Sequence, residues 1–202
     1  MLRIKDMAFE VDSQRSEFFA YIPQEPPGVQ SPGRLRWSLE VRCVDMEYER
    51  GFGAPYLHAN GMRFDVRDWR MIEGRTVRDG GGEGLAAYLY VQADNKTSDN
   101  SLRFVSRRSD LFAVEWDCLA DVFWDDDYSS GLPLRLDTEI AFGGVHVWWV
   151  KADDQGLATA KELVGRHFDL ACLQEPETAG PYHIVFTPRL DAEETAPAKR
   201  RG

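Results

Sequence analysis

This sequence predicts a mainly β fold: an antiparallel β-sandwich or jelly-roll-like arrangement with one C-terminal helix packed on a sheet. Three observations lead there. Apolar and polar residues alternate at period two through most of the apolar segments. Turn residues separate those segments at short spacing. Aromatics make up 12% of the 202 residues, a bias toward side chains that suit a pleated surface. No strand–helix–strand rhythm interrupts the pattern, so a parallel doubly wound sheet is not expected.

Taken in order, RIKDMAFEV near the start and EFFAYI at 17–22 are weak strand candidates. IPQEPPGVQSPG, residues 22–33, holds four of the ten prolines and reads as a connection. RLRWSLEVRC follows with the clearest alternation: Leu35, Trp37, Leu39, Val41 and Cys43 against Arg36, Ser38, Glu40 and Arg42. Further strands are expected at 85–91, 102–108, 111–118, 133–142 and 144–150, with weaker ones at 62–66 and 183–186. Turn chemistry falls at Asn60-Gly61, Asp79-Gly80, Asp94-Asn95, Ser109-Asp110 and Gly143-Gly144. The glycine-rich stretch at 74–84 reads as a mobile hairpin tip, since it has neither a Walker spacing nor a dinucleotide fingerprint. After Asp153 and Asp154, either of which can cap, Leu157, Ala160, Val164 and Phe168 recur at helical spacing and predict a helix over about 154–168. Residues 1–189 are expected to form one domain, and the apolar-poor tail, 190–202, to be disordered.

Composition narrows the class. The chain is 43% apolar and 29% charged, and long enough to bury roughly 70% of its unfolded surface. Its start carries Arg3, Lys5 and Asp6 instead of an apolar leader, and no window approaches the ~18 apolar residues of a membrane span. Cys43, Cys118 and Cys172 are scattered and odd in number, so buried free thiols in a reducing compartment, the cytoplasm, are expected. A net charge of −10 repels phosphate backbones and anionic membranes, which argues against nucleic acid and membrane as partners. Nothing in the sequence sets an oligomeric state.

The motif search centres on DVFWDDDYSSGLPLRLDTE, residues 121–139. Counted as an EF-hand from Asp125, the loop has Ser130 at the place that needs glycine and Leu136 at the place that needs a bidentate glutamate. It is not an EF-hand, although an irregular calcium site at Asp125–Asp127 stays open. Upstream, LFAVEWDCLADVF turns Phe112, Val114, Trp116 and Cys118 to one side, leaving Glu115 and Asp117 together on the other. This stretch resembles the E-x-D-x-x-E strand of jelly-roll β-glucanases of the laminarinase kind. The resemblance implies Glu115 as nucleophile and Asp117 as its support, with nearby tryptophans as stacking platforms. It covers six residues, and Ala120 stands where the general acid belongs, so the pair of carboxylates for retaining hydrolysis is incomplete.

Other chemistry finds no motif. The four histidines lack metal-ligand spacing, and His146, on the same strand side as Trp148, is expected to be packed. There is no C-x-x-C and no G-x-S-x-G, so no metal and no cofactor is expected. What remains is an acidic, aromatic-rich β domain suited to binding. The leading expectation is a non-enzymatic interaction protein that presents Asp121, Trp124, Asp125, Asp126, Asp127, Tyr128, Asp137 and Glu139 to a basic protein partner. An inhibitor or immunity-type protein that neutralises a bacterial toxin fits this physics. The alternative expectation is a carbohydrate-binding or glycosidase-like jelly roll using Glu115 and Asp117.

Overall fold

A computed structural model of the chain describes residues 1–23, 34–48, 51–80, 85–91, 93–122 and 130–191. Most of the Pro-rich connection, the glycine-rich tip at 81–84, the acidic loop with Trp124, Asp125, Asp126, Asp127 and Tyr128, and the tail from residue 192 lie outside the described residues. In chain order the strands are β1 (Leu2–Ile4), β2 (Met7–Phe9), β3 (Glu17–Ile22), β4 (Arg36–Arg42), β5 (Met46–Tyr48), β6 (Gly51–Gly53), β7 (Tyr56–Met62), β8 (Thr76–Arg78), β9 (Ala86–Val91), β10 (Ala93–Arg108), β11 (Leu111–Ala120), β12 (Leu132–Trp148), β13 (Glu177–Gly180) and β14 (His183–Phe186). One α-helix, α1, covers Asp154–Gly165, and 3-10 turns cover Trp69–Ile72 and Leu170–Cys172.

The chain is mainly β, as its alternation predicts, but the sheet closes on itself. Strands pair in the order β11-β10-β9-β7-β4-β3-β12, and β12 pairs β11 again, so the ring is complete. This barrel replaces the expected open sandwich or jelly roll, and two long strands are the reason. The first part of β12 pairs β11 and β1, while its last residues run parallel to β3 and antiparallel to β14. In β10, residues 93–96 pair β9 and residues 97–108 pair β11. Strand β12 changes partner at a bulge and β10 has one just past its change of partner, which is how orthogonally packed sheets turn their corners.

Those bulges sit where left-handed backbone is available. Gly144 has φ +115° at the register shift between Phe142 and Gly144. Asp99 has φ 53° in the shift between Ser98 and Ser101 of β10. Gly61, φ 76°, makes the corresponding shift in β7 opposite β4. The expected turns at Asn60-Gly61 and Gly143-Gly144 are therefore bulges inside continuous strands, and Asp94-Asn95 lies within β10. The two strands expected at 133–142 and 144–150 are for the same reason one, and of the strand expected at 62–66 only Met62 is in a strand, as the end of β7.

The core fills the space between the walls. Phe18, Trp37, Trp69, Phe104, Phe112, Trp116 and Phe142 are all fully buried. Phe18 meets Trp37, Phe104, Phe112 and Phe142 at ring-centroid distances of 5.3, 4.6, 5.6 and 5.8 Å. A buried polar knot ties β10 to β11: Trp116 Nε1 donates to Asn100 Oδ1 at 2.9 Å, and Asn100 Nδ2 donates to Asp79. Asp153 caps α1 by accepting from the Gly156 N–H at 3.0 Å, and the helix ends at Gly165, short of the expected 168. Ala160, Val164 and Phe168 join the core, with Phe168 5.8 Å from Trp37. Leu190 also packs against the core, and Asp191 pairs with Arg70 at 3.6 Å. All three cysteines are free and buried, as expected, and burial pushes each thiol up to about 12. No described helix is long and apolar enough to cross a membrane.

Candidate functional site

The two walls of the barrel present very different outer faces. On the wall built from β10, β11 and the first part of β12, the register sets Glu115 opposite Asp137, Asp117 opposite Arg135 and Ala113 opposite Glu139. Glu115, Asp117, Asp137 and Glu139 thus share one surface. Arginines are interleaved with them: Arg103 reaches Glu115 at 3.1 Å, Arg108 reaches Glu139 at 3.5 Å and Arg135 lies 4.0 Å from Asp117. The N-terminal ammonium of Met1 donates to the Asp137 carbonyl. The result is a checkerboard and not a uniformly acidic field. Asp121 Oδ1 accepts from the Gly131 N–H at 2.9 Å.

Among the described residues, no tryptophan lies beside Glu115 and Asp117 on the outer face. Trp116 points into the core, fully buried, and the neighbours on the outer face are Ser101, Arg103, Ala113 and Arg135. Ala120 is also fully buried, so the position of the missing acid faces inward. A groove of about 820 Å³ at this end is lined by Arg3, Lys5, Asp6, Asp99, Asp117 and Arg135. Three cations face three carboxylates there, which leaves no net charge to select a ligand.

The opposite wall, formed by β14, the end of β12, β3, β4, β7 and β9, carries an aromatic and histidine-rich face. Inner positions of β3 go to Phe18, Ala20 and Ile22, which leaves Glu17, Phe19 and Tyr21 outside. The bulge at Gly144 shifts the parity of β12, so Val145 and Val147 turn in while His146 and Trp148 turn out. Trp148 pairs directly with His183 of β14, and their rings stack at 5.4 Å with 28° between planes. His146 packs on Phe19 at 4.9 Å, and its Nδ1 lies 3.2 Å from His183 Nε2. Its other nitrogen, Nε2, is buried without a hydrogen-bond partner, 3.7 Å from Glu17 Oε1.

Farther across this face, Ser38 Oγ lies 2.8 Å from His58 Nε2, and His58 Nδ1 lies 2.8 Å from the Tyr88 hydroxyl. This Ser–His–Tyr chain spans β4, β7 and β9. Ser38 is only 2% exposed, so no acyl substrate reaches its oxygen, and the chain acts as a clasp between strands. Glu17 and Glu40 are directly opposed on β3 and β4. Burial, with Glu40 adding to it, raises the Glu17 carboxyl above its ordinary value.

Beyond Trp148 stand the largest exposed apolar groups among the described residues. Trp149 is 68% exposed and Tyr182 58% exposed, joined by a hydrogen bond from the Trp149 N–H to the Tyr182 carbonyl at 2.9 Å. Trp149 has φ 71°, a left-handed conformation that a bulky side chain rarely adopts. None of this cluster was singled out as a site by sequence reading except the packing of His146 beside Trp148. Its β3 members lie more than 120 residues from those on β12 and β14, so no local spacing joins them. The available signal was EFFAYI itself, where apolar residues at both parities mark a strand covered on both faces.

The buried histidines make stability pH-dependent. Burial, with His183 adding to it, lowers His146 from its ordinary 6.5 to about 4, and burial lowers His58 as well. Between pH 6.5 and 4 the unfolded chain binds a proton that the folded chain refuses at His146, so stability rises with pH there and is lost on acidification. Glu17 acts in the opposite sense, because the folded chain holds its proton to higher pH than the unfolded chain does. Its shift is the smaller. Urea melts at pH 7.5 and 5.0 are expected to differ by about 2 kcal/mol from His146, and His146→Gln should remove most of that difference.

Compared with protein-family models, with curated proteins and with solved structures, the chain matches none of them.

Proposed function

We propose that this protein works by binding and not by catalysis: an interaction protein that captures a basic protein partner, of the kind of an inhibitor or immunity protein that neutralises a toxin. One observation carries the reading. Trp149 and Tyr182 stand out into solvent, and Trp149 does so from a strained backbone. Exposed apolar area and left-handed strain both cost stability, so a fold that keeps them together has a use for that surface. Tryptophan and tyrosine are the residues most often at the energetic centre of protein interfaces, and their faces attract arginine and lysine. The net charge of −10 adds long-range attraction for a cationic partner. The acidic loop with Asp121, Asp125, Asp126 and Asp127 belongs to the same reading as a steering element.

Trp149→Gly separates function from stability. Glycine adopts φ 71° without strain and little buried area is lost, so the variant is expected to match the wild type or exceed it by up to about 1 kcal/mol. Its capture of the native basic partner should fall at least tenfold, and Tyr182→Ala should behave similarly. Charge reversal at Asp125, Asp126 and Asp127 should instead slow association at low salt and matter little at high salt. Binding that none of these variants changes would refute the proposal.

A carbohydrate ligand is the second reading, favoured by the same pair of exposed aromatics as a stacking platform. On that reading the sugar would bind at Trp149 and Tyr182, not at Glu115 and Asp117. A glycan array with Trp149→Gly as control separates the two.

A further inference from the structure

We propose that His146 and His183 form a chelate for a divalent transition-metal ion of the zinc type, with Glu17 as the carboxylate behind the first ligand. The inference is independent of the partner-binding reading. It begins with the 3.2 Å between His146 Nδ1 and His183 Nε2. Two imidazole nitrogens on a tetrahedral zinc ion, each bonded at about 2.0–2.1 Å, are separated by roughly 3.3 Å. The two nitrogens therefore already stand at the spacing of a ligand pair.

The surroundings fit that use. His146 is 8% exposed, yet its far nitrogen Nε2 has no hydrogen-bond partner and faces Glu17 Oε1 at 3.7 Å. Metal-bound histidines commonly direct the second ring N–H at a carboxylate, which fixes the tautomer and strengthens the ligand. A dication at Nδ1 makes Nε2–H a stronger donor and draws the carboxylate over the remaining gap. Glu17 lies there because Gly143 has no side chain: a Cβ at that position would stand 1.8 Å from Glu17 Oε1. Phe19 and Trp148 pack on the rings and hold their planes. His183 is only half-buried, so an ion can reach the pair from solvent.

Among the described residues no third histidine, cysteine, aspartate or glutamate completes the coordination sphere. Water fills the remaining positions, and binding is expected to be labile, in the micromolar range, with copper(II) tighter than zinc. Calorimetric titration of chelator-treated full-length protein with zinc chloride should show one site per chain. His183→Gln, at a half-buried position, should keep its circular dichroism and melting temperature and lose at least tenfold in zinc affinity. Glu17→Gln should weaken zinc by roughly tenfold while both histidines remain. Copper(II) should quench tryptophan fluorescence through Trp148, and this quenching should fall in His183→Gln but persist in His167→Gln. Absence of zinc binding, or equal binding by wild type and folded His183→Gln, would overturn the proposal and leave the pair as an imidazole–imidazole hydrogen bond.

Discussion

Replacing Phe18 by alanine is expected to lower the stability of this protein by about 3–5 kcal/mol. Phe18 is fully buried on β3, and its ring meets aromatic rings from β4, β10, β11 and β12, four strands drawn from both walls. Those neighbours are themselves large and locked against one another; Phe104 and Phe112, for example, meet edge to face at 5.7 Å. They cannot collapse readily into the space a missing phenyl leaves, so the cost should sit toward the upper end of that range. Denaturant melts measure it directly. Phe18→Leu should recover more than half of the loss, and a loss below about 1 kcal/mol in Phe18→Ala would mean that the two walls do not share this core.

Gly144→Ala should be nearly as damaging, for a different reason. Gly144 has φ +115°, and a Cβ there would stand 2.3 Å from the Phe186 carbonyl oxygen on β14. Neither the strand pairing nor the bulge can yield without the other, so a loss of at least about 3 kcal/mol is expected. Gly131→Ala is the control. It also has positive φ, +70°, but nothing lies within 4 Å of an added Cβ, so only the backbone term of about 1 kcal/mol applies. The difference between the two thermal melts isolates the steric part, on the order of 5 °C for a chain of this size. Equal melting temperatures would place the corner of β12 elsewhere.

Much of the strand content was legible because alternation is a local signal. RLRWSLEVRC, LFAVEWDC and HIVF became β4, β11 and β14 within a residue or two of their expected ends. Closure into a barrel was not legible, because it depends on which partner each half of β10 and β12 takes, and pairing partners leave no local trace. The glycines misled for a physical reason. Asn60-Gly61 and Gly143-Gly144 supply left-handed backbone, and turns and bulges both need it, so the same dipeptide signals either. At the candidate site the sequence marked EFFAYI as a weak strand and placed His146 and Trp148 on one side of another. It did not mark that β3 and β12 lie side by side, which is what brings Glu17 to His146.

The partition of β12 between two walls has a consequence for how the protein is made. Strand β3 finds its parallel partner only at residues 142–147, and β1 finds its antiparallel partner in the same strand at residues 134–136. The antiparallel neighbour of β3, strand β4, follows at once, but during synthesis at ~5–20 residues per second the other edge of EFFAYI waits on the order of 10 s before β12 leaves the ribosome. With so many pairings between distant segments, closure is expected to take milliseconds to seconds once β12 is available. The exposed period belongs to Phe18, Ala20 and Ile22, the residues that the finished barrel buries.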